Sequence, residues 1–400
     1  MKPEIIILAL PRWDGNYAST SFSMACELAR DHRVFYVVNP FTWKDFFKKI
    51  RTRQIQRRLL QLLFGIRPVW RDSKLPANLS IVTSRLVIPM KFLSKGRLYD
   101  LLNKFNNRIV SNAINRTIRD ASISEYIYIN SFNPFYQFQP EGTAQKLLVY
   151  QCVDNIAEHA YVSKHGPRLE NEMISRADLV FVTSRELFRL KQHAGSKVFY
   201  LPNAANIGVF RDATTTTKPH DLPAGFKGII GYVGNIDPRL DYSLLAQIAS
   251  RFPSHLLVIV GPKTFDEYKN FQLEGMPNVC FVGPKHYNDL PAYMNTFDCA
   301  IIPFKCNAAT KSIYPLKVNE YLASGRPVVS TDFSDDIRSF EPVISIAANH
   351  DEFLTQIDAE ILTDNESKRK QRVEVAGQNT WQARVDDFWK IINEYERRQS

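Results

Sequence analysis

Apolar runs of strand length alternate with amphipathic stretches through most of this 400-residue chain. "EIIILAL" (4–10) is one apolar run. "SFSMACELARD" (21–31) then sets Phe22, Ala25, Cys26, Leu28 and Ala29 at helical spacing, and "RVFYVVNP" (33–40) is apolar again. Strand, helix and strand in that order predict a βαβ unit, whose parallel sheet is covered on both faces and so reads as continuous runs. Further strands are predicted at "YIYIN" (126–130) and "KLLVYQCVD" (146–154). A helix near 168–177 follows, then the strand "ADLVFVTS", the helix "RELFRLKQHAG" and the strand "KVFYLPNA".

Between 206 and 227 the periodicity lapses, because "RDATTTTKPHDLPAGFKG" is rich in Thr, Pro and Gly. The segment reads as an interdomain linker. The alternation restarts with strands at 228–234, 255–261, 279–283, 298–304 and 327–331. Helices are expected at 241–252, 288–297 and 315–324, and a helical tail ends the chain. The expected division is a domain at 1–205 containing a basic region at 44–120, a linker at 206–227, a domain at 228–378 and a C-terminal helix at 379–400. A length of 400 residues exceeds what one hydrophobic core usually organises, which agrees with two domains. The predicted class is α/β: two Rossmann-like parallel-sheet domains facing across a cleft, the last helix crossing back to the first. Ligands in such sheets sit beyond the carboxyl ends of the strands.

Composition narrows the classes. A hydrophobic fraction of 44% with 23% charged residues is ordinary for a soluble globular protein. No apolar run approaches the roughly 18 residues of a membrane span. Glu4 directly precedes the first apolar run, so the N-terminus reads as lacking a secretory leader. The five cysteines (26, 152, 280, 299, 306) have no CxxC spacing and read as reduced thiols of a cytosolic protein. The net charge of +10 is uneven: residues 44–74 hold ten Lys/Arg against two Asp, and residues 91–120 hold seven against two. All the excess positive charge therefore lies in the first third.

Four predicted strand ends carry glycine, proline or cations. They are "GIIGYVGNIDPRLDYSLL", "HLLVIVGPK", "FDCAIIPFKCNAATKSIYP" and the stretch around Pro315, a residue suited to the first helical position. Glycine admits close backbone approach, and a helix start favours anions. A diphosphate is met by this combination without a metal. The chain has no GxGxxG, so the nicotinamide-dinucleotide reading loses its fingerprint. No two aspartates are separated by one residue, the pattern a metal-dependent sugar-nucleotide enzyme would show. No metal site is expected. Read singly, each feature is a turn or a solvated charge and Lys317 with Glu320 a surface i,i+3 pair; it is their coincidence at four strand ends that points to a ligand.

"PLKVNEYLASGRPVVST" (315–331) resembles the nucleotide-sugar signature of the family-four retaining glycosyltransferases, which have the GT-B fold. "GYVGNIDPRLDYSLLAQIASRFPSHLLVIVGP", "NVCFVGPKHYNDLPAYMNTFDCAIIPF" and "RADLVFVTSRELF" are similar to further parts of that pattern. The branch it most resembles is the teichuronic-acid type that builds bacterial surface polysaccharides. The resemblance spans nearly the whole chain and is weakest over 41–120. It implies that Glu320 bonds the ribose hydroxyls and that Pro315, Leu316 and Lys317 cradle the sugar and diphosphate. It places Arg239 near the cationic diphosphate contact, Gly234 where the strand ends, Gly15 near the donor phosphates and Asp154 near the transferred sugar. Arg239, Lys317 and Asp154 become the catalytic candidates. Gly15, Gly234, Asn235, Asp241, Gly261, Pro262, Ser312, Pro315, Leu316 and Glu320 become the donor-binding ones. Lys263 is a further cation considered for the diphosphate.

The chain departs from the pattern at Ser312, where relatives carry a glutamate facing the sugar, and at Asn235, where arginine is frequent. "PNAAN" replaces the common Pro-Asn-Gly, and the histidine often near Asp154 is absent, His159 lying five residues on. The function implied is transfer of a hexose from a nucleotide-diphosphate sugar, a UDP-sugar being favoured, to a glycan or lipid-linked acceptor. No cofactor is expected, the reaction is metal-independent and retaining, and the location is cytoplasmic. A sugar-nucleotide epimerase and a non-catalytic nucleotide-sugar-binding subunit are the alternatives. Residues 44–64 mix Phe47, Ile50, Ile55, Leu59, Leu62 and Leu63 with seven Lys/Arg. They read either as an amphipathic helix on an anionic membrane face or as a core-facing helix with a solvated basic side. Nucleic acid is not expected as a partner, because no recognition motif accompanies the charge.

Overall fold

The computed structural model describes residues 2–14, 19–158, 162–211 and 219–399. The chain divides into two compact units: 1–183 with 187–201, and 184–186 with 202–400. The C-terminal helix Trp381–Gln399 is part of the second.

The first unit is built on an eight-stranded sheet. Its strands are β1 (Glu4–Ala9), β2 (Val34–Val37), β3 (Val69–Trp70), β4 (Leu79–Val82), β5 (Tyr126–Ser131), β6 (Gln145–Cys152), β7 (Leu179–Val182) and β8 (Val198–Tyr200), in the order β3-β4-β2-β1-β5-β6-β7-β8. Every pairing is parallel except the short β3–β4 edge. The strand order reverses between β1 and β5. Ile5 to Ala9 are all buried, as a strand covered on both faces requires.

The basic region is more structured than its composition announces. It supplies β3, β4 and the 24-residue helix Arg97–Asp120, none of which the apolar pattern shows. Residues 44–64 do not form one helix. They make three short ones, Trp43–Lys49, Arg53–Gln56 and Leu59–Phe64. Thr42 caps the first with a reciprocal bond to Asp45, Thr52 turns its hydroxyl back to the Lys49 carbonyl at 2.7 Å, and Gly65 ends the third with φ +68°. Phe46, Ile55 and Leu62 face the core, whereas Phe47, Ile50 and Leu59 are exposed. The segment therefore divides its apolar side chains between the core and the surface.

The second unit has six parallel strands: β9 (Gly228–Val233), β10 (His255–Val260), β11 (Val279–Gly283), β12 (Cys299–Ile302), β13 (Val328–Thr331) and β14 (Ser345–Ala347). Their order is β11-β10-β9-β12-β13-β14, reversing between β9 and β12. The segment read as a linker opens with the helix Ile207–Arg211, and its Phe210 and Leu222 are buried in this unit's core. Cys152 and Cys299 are buried thiols, and all five cysteines are free. Among the described residues no helix is long and apolar enough to cross a membrane.

At the carboxyl ends of β9, β10 and β11 the loops are laced by backbone bonds: Gly234 N–H to Val260 O, Gly261 N–H to Gly283 O, and Ile236 N–H to Pro262 O, at 2.9–3.0 Å. Gly234 and Gly261 adopt φ of +153° and +147°. A Cβ built on Gly261 would fall on the Gly234 carbonyl. The Gly261→Ala variant is therefore expected to lose about 1–3 kcal/mol of stability by overpacking, with further loss from its backbone conformation. Chemical denaturation checks this.

Candidate active site

The chemistry concentrates where β9 ends, at the reversal point of the second sheet. Strand β9 delivers Tyr232 and then Gly234 and Asn235, and the loop behind carries Asp237 and Arg239. Leu240 pairs with Phe304 past the end of β12, and Lys305 N–H bonds the Arg239 carbonyl at 2.8 Å. The helix Leu316–Ala323 lies against the same strand. Its Tyr321 hydroxyl accepts the Val233 N–H at 2.8 Å. Pro315 stands at the N-cap of this helix, one position before its expected place at the first turn, and Leu316 begins the helix.

Lys317 and Glu320 do not pair with each other. The Lys317 ammonium donates to the Tyr232 hydroxyl at 2.8 Å and lies 4.1 and 4.5 Å from the ring centroids of Tyr232 and Phe304. The Tyr232 hydroxyl in turn donates to the Asn235 carbonyl at 3.1 Å. Desolvation holds Lys317 well below the ordinary lysine range, and the Arg239 charge adds to that. A Cβ on Gly234 would stand 2.7 Å from the Lys317 ammonium nitrogen, so glycine here makes the room for that side chain.

Glu320, one turn on, accepts the Tyr287 hydroxyl at 3.2 Å. Burial pushes its carboxyl up to about 7, against the pull of Tyr287 and Lys317. Tyr287 packs edge-on to Phe210 at 5.4 Å. Arg239 is gripped by Asp237, whose oxygens take its Nε at 2.9 and 3.0 Å while Nη2 closes the fork. Burial works to raise the Asp237 pKa. The bonds and charge of Arg239, with Lys317 behind, outweigh it and keep Asp237 below the usual carboxylate range.

Among the expected site residues, Gly234, Asn235, Arg239, Gly261, Pro262, Pro315, Leu316, Lys317 and Glu320 come together at these strand ends and this helix start. Asp241 caps the helix Tyr242–Arg251 by accepting the Leu244 N–H at 3.0 Å, and its other oxygen meets His350 at 2.9 Å. Both carboxylate oxygens are thus engaged in holding the loop. Lys263 is turned to Glu274 and lies over Phe281. It lines a separate open concavity of about 830 Å³ with Thr264 to Glu267 and Asn270, to which Arg239, Lys317 and Glu320 do not contribute. Ser312 is buried, and among the described residues its hydroxyl has no hydrogen-bond partner, nor does the side-chain carbonyl oxygen of Asn319 in the adjoining helix. Asp154 belongs to the first unit, just past the end of β6, where its carboxylate accepts the Asn155 N–H at 2.9 Å. Gly15 and His159 lie outside the described residues.

Asp237, Tyr232 and Tyr287 were not singled out from the sequence. Asp237 stands two residues from Arg239, a spacing that hints at the fork. Tyr232 reads as strand core, and Tyr287 is 33 residues from Glu320, so nothing local marks either one.

A nucleoside diphosphate fits this arrangement, with cations and backbone N–H groups near the strand ends and an acceptor carboxylate one helical turn further on. Residues 227–382 match the family model described as Glycosyl transferases group 1. The chain is 31% identical over 181 residues to TuaH of Bacillus subtilis (strain 168), named as a teichuronic acid biosynthesis glycosyltransferase. That match covers 44% of this chain and 45% of TuaH, so the chain spans about half the length of the curated relative it matches. Among solved structures it is similar to sucrose-phosphate synthase from Thermosynechococcus elongatus (TM-score 0.66, 15% identity). It is similar also to the UDP-forming trehalose-phosphate synthase from Burkholderia vietnamiensis (TM-score 0.67, 11% identity). Each match covers 98% of this chain and 99% of the other. The GT-B fold expected from the sequence is borne out by these neighbours and by the two parallel sheets.

The raised Glu320 pKa has a stability consequence. The folded, unliganded protein holds the Glu320 proton more tightly than the unfolded chain does. This contribution is fully present below about pH 4.5, and it is lost as pH rises to about 7. Glu320→Gln should remove that loss. Its unfolding temperature should fall less than the wild type's between pH 5 and 7, at about 2–4 °C per kcal/mol, as read by calorimetry.

Proposed function

We propose that the protein is a metal-independent, retaining hexosyltransferase. It takes a nucleotide-diphosphate sugar, a UDP-sugar first, and delivers the sugar to a glycan or lipid-linked acceptor in surface polysaccharide synthesis. The observation that carries this is Lys317, an ammonium set among Tyr232, Phe304 and Gly234 with a hydroxyl and, among the described residues, no carboxylate within hydrogen-bond reach. A desolvated cation of that kind is stabilised by an anion arriving from outside. Glu320 beside it is an acceptor for a ribose diol. Support for the UDP preference comes from the neighbours: the Burkholderia enzyme is described as UDP-forming, and an Escherichia coli structure with TM-score 0.64 is described as bound with UDP-2-fluoro glucose. TuaH's name supports the polysaccharide context.

In the reaction, the bond between the anomeric carbon and the diphosphate oxygen breaks while one to an acceptor hydroxyl oxygen forms. The acceptor's proton ends on the departing diphosphate or in solvent. Negative charge grows on the leaving group, where Arg239 and Lys317 stabilise it, while Asp237 fixes the guanidinium plane. Asp154 faces the sugar in this reading, and the buried Ser312 stands where relatives place a glutamate, so the sugar contact differs from theirs. The location is cytoplasmic, with residues 44–64 meeting an anionic membrane surface.

Arg239→Ala is expected to lower turnover by roughly a hundredfold or more, as loss of one charge-stabilising donor does. The measurement is release of nucleoside diphosphate from each sugar donor, with and without acceptor. Intact turnover in the variant would remove Arg239 from the site, and an isomerised donor without acceptor dependence would make the protein an epimerase.

A further inference from the structure

Fourteen large apolar side chains are exposed among the described residues, and eleven of them lie between Trp43 and Phe105. They form two ribs on the first unit. One rib is the set of short helices over 43–64, where Trp43 stacks on Phe47 at 6.1 Å and Phe64 is 65% exposed. The other is Phe92, 72% exposed, followed by Leu98, Leu101 and Phe105 on the helix Arg97–Asp120. These last three recur at spacings of three and four, opposite the buried Tyr99 and Asn106.

A side-chain hydrogen bond ties the helix of the second rib to the first. At about 100° per residue, Arg116 lies on the same face of the long helix as Leu98, Leu101 and Phe105. Its guanidinium donates to the Gly65 carbonyl at 3.1 Å, between Phe64 and Ile66. The Leu86 N–H bonds the Leu62 carbonyl at 3.0 Å, tying the first rib to the strand side of the second.

Exposed cations are interleaved with the apolar side chains: Lys44, Lys48, Arg51, Arg53 and Arg57 on the first rib, and Lys95, Arg97, Lys104 and Arg108 on the second. None of these nine forms an ion pair among the described residues. The cations that are neutralised lie beneath. Arg58, 2% exposed, meets Asp14 at 2.7 Å, and Arg12 meets Asp45 at 3.4 Å. Those two pairs pin the first rib onto the segment that follows β1, so this face exists before anything docks.

We propose that both ribs together form a preformed docking face for an anionic lipid bilayer, the second rib inserting Phe92, Leu98, Leu101 and Phe105 beside the residues 44–64 already assigned to a membrane. This rests on the membrane partner proposed above and is independent of the transfer chemistry. Exposed aliphatic side chains have no use against nucleic acid phosphates. A second copy of the chain would bring nine uncompensated cations against nine more across a two-fold contact. A bilayer takes both: acyl boundary for the apolar groups, and anionic headgroups at roughly fivefold in affinity per cation.

The test is flotation of the full chain with phosphatidylcholine vesicles, with and without phosphatidylglycerol, at physiological salt. Wild type should float only with the anionic vesicles and release at high salt. Leu101→Ser/Phe105→Ser, on an exposed face, should bind at least tenfold more weakly, with an unchanged nucleotide thermal shift. Far-UV circular dichroism should not change when vesicles are added to wild type. Wild-type affinity in the double variant would overturn the second rib, and a rise in helicity would overturn a preformed face. Absence of flotation, or monomerisation of a wild-type dimer by the double variant, would overturn the bilayer as partner. A chain that floats as expected but answers to no nucleotide would sink the transferase reading and leave this one standing.

Discussion

Backbone passes within contact of backbone where Gly234 meets Gly261, and the geometry of the second unit's site follows from that approach. With no side chain at either position, the loops after β9 and β10 can be laced by Gly234 N–H to Val260 O and Ile236 N–H to Pro262 O. This places Tyr232, whose hydroxyl donates to the Asn235 carbonyl, where it receives Lys317, and the Tyr321 hydroxyl on Val233 holds the helix that carries Lys317 to the same strand. One turn of that helix separates Lys317 from Glu320 and so sets the distance between a cationic and an acceptor group. A side chain at Gly261 would strike the Gly234 carbonyl, and one at Gly234 would crowd the Lys317 ammonium.

The electrostatics follow from the same crowding. A lysine on an exposed helix would sit near its ordinary pKa and pair with Glu320 for a few tenths of a kcal/mol at most. Here desolvation sets the two side chains apart in character, lowering the ammonium's pKa and raising the carboxyl's, and each finds a tyrosine hydroxyl in place of the other. Arg239 is handled differently, since Asp237 neutralises and orients it. The site therefore combines one cation forked to a carboxylate with one whose hydrogen bond goes to a hydroxyl.

The first unit shows how charge and apolar surface can be divided within one segment. Seven Lys/Arg over 44–64 look alike in the sequence, but Arg58 is buried against Asp14 and beneath the rings of Trp13 and Trp70, whereas its neighbour Arg57 is exposed. Ile55 and Leu62 are core residues, and Phe47 and Leu60 are not. Three short helices, separated near Thr52 and Arg58 and ended by Gly65, allow that sorting.

Runs such as Ile5–Ala9 and Leu256–Val260 determined the parallel sheets by themselves, because a strand covered on both faces must be apolar throughout. The glycines at strand ends and the Pro315–Glu320 helix were legible for the same local reason: backbone conformation and helix capping are properties of a few adjacent residues. The edge strand β3, the short β4 and the polar helix Arg97–Asp120 escaped notice, since their burial comes from distant partners and leaves little periodic trace. Tertiary structure alone decided that Lys317 would lie between Tyr232 and Phe304, 85 and 13 residues away in sequence. It likewise decided that Asp241 would brace a helix and that Lys263 would turn to Glu274. Each of those outcomes depends on which groups the folded sheet brings within a hydrogen bond of one another, and that distance is not encoded in any short stretch of chain.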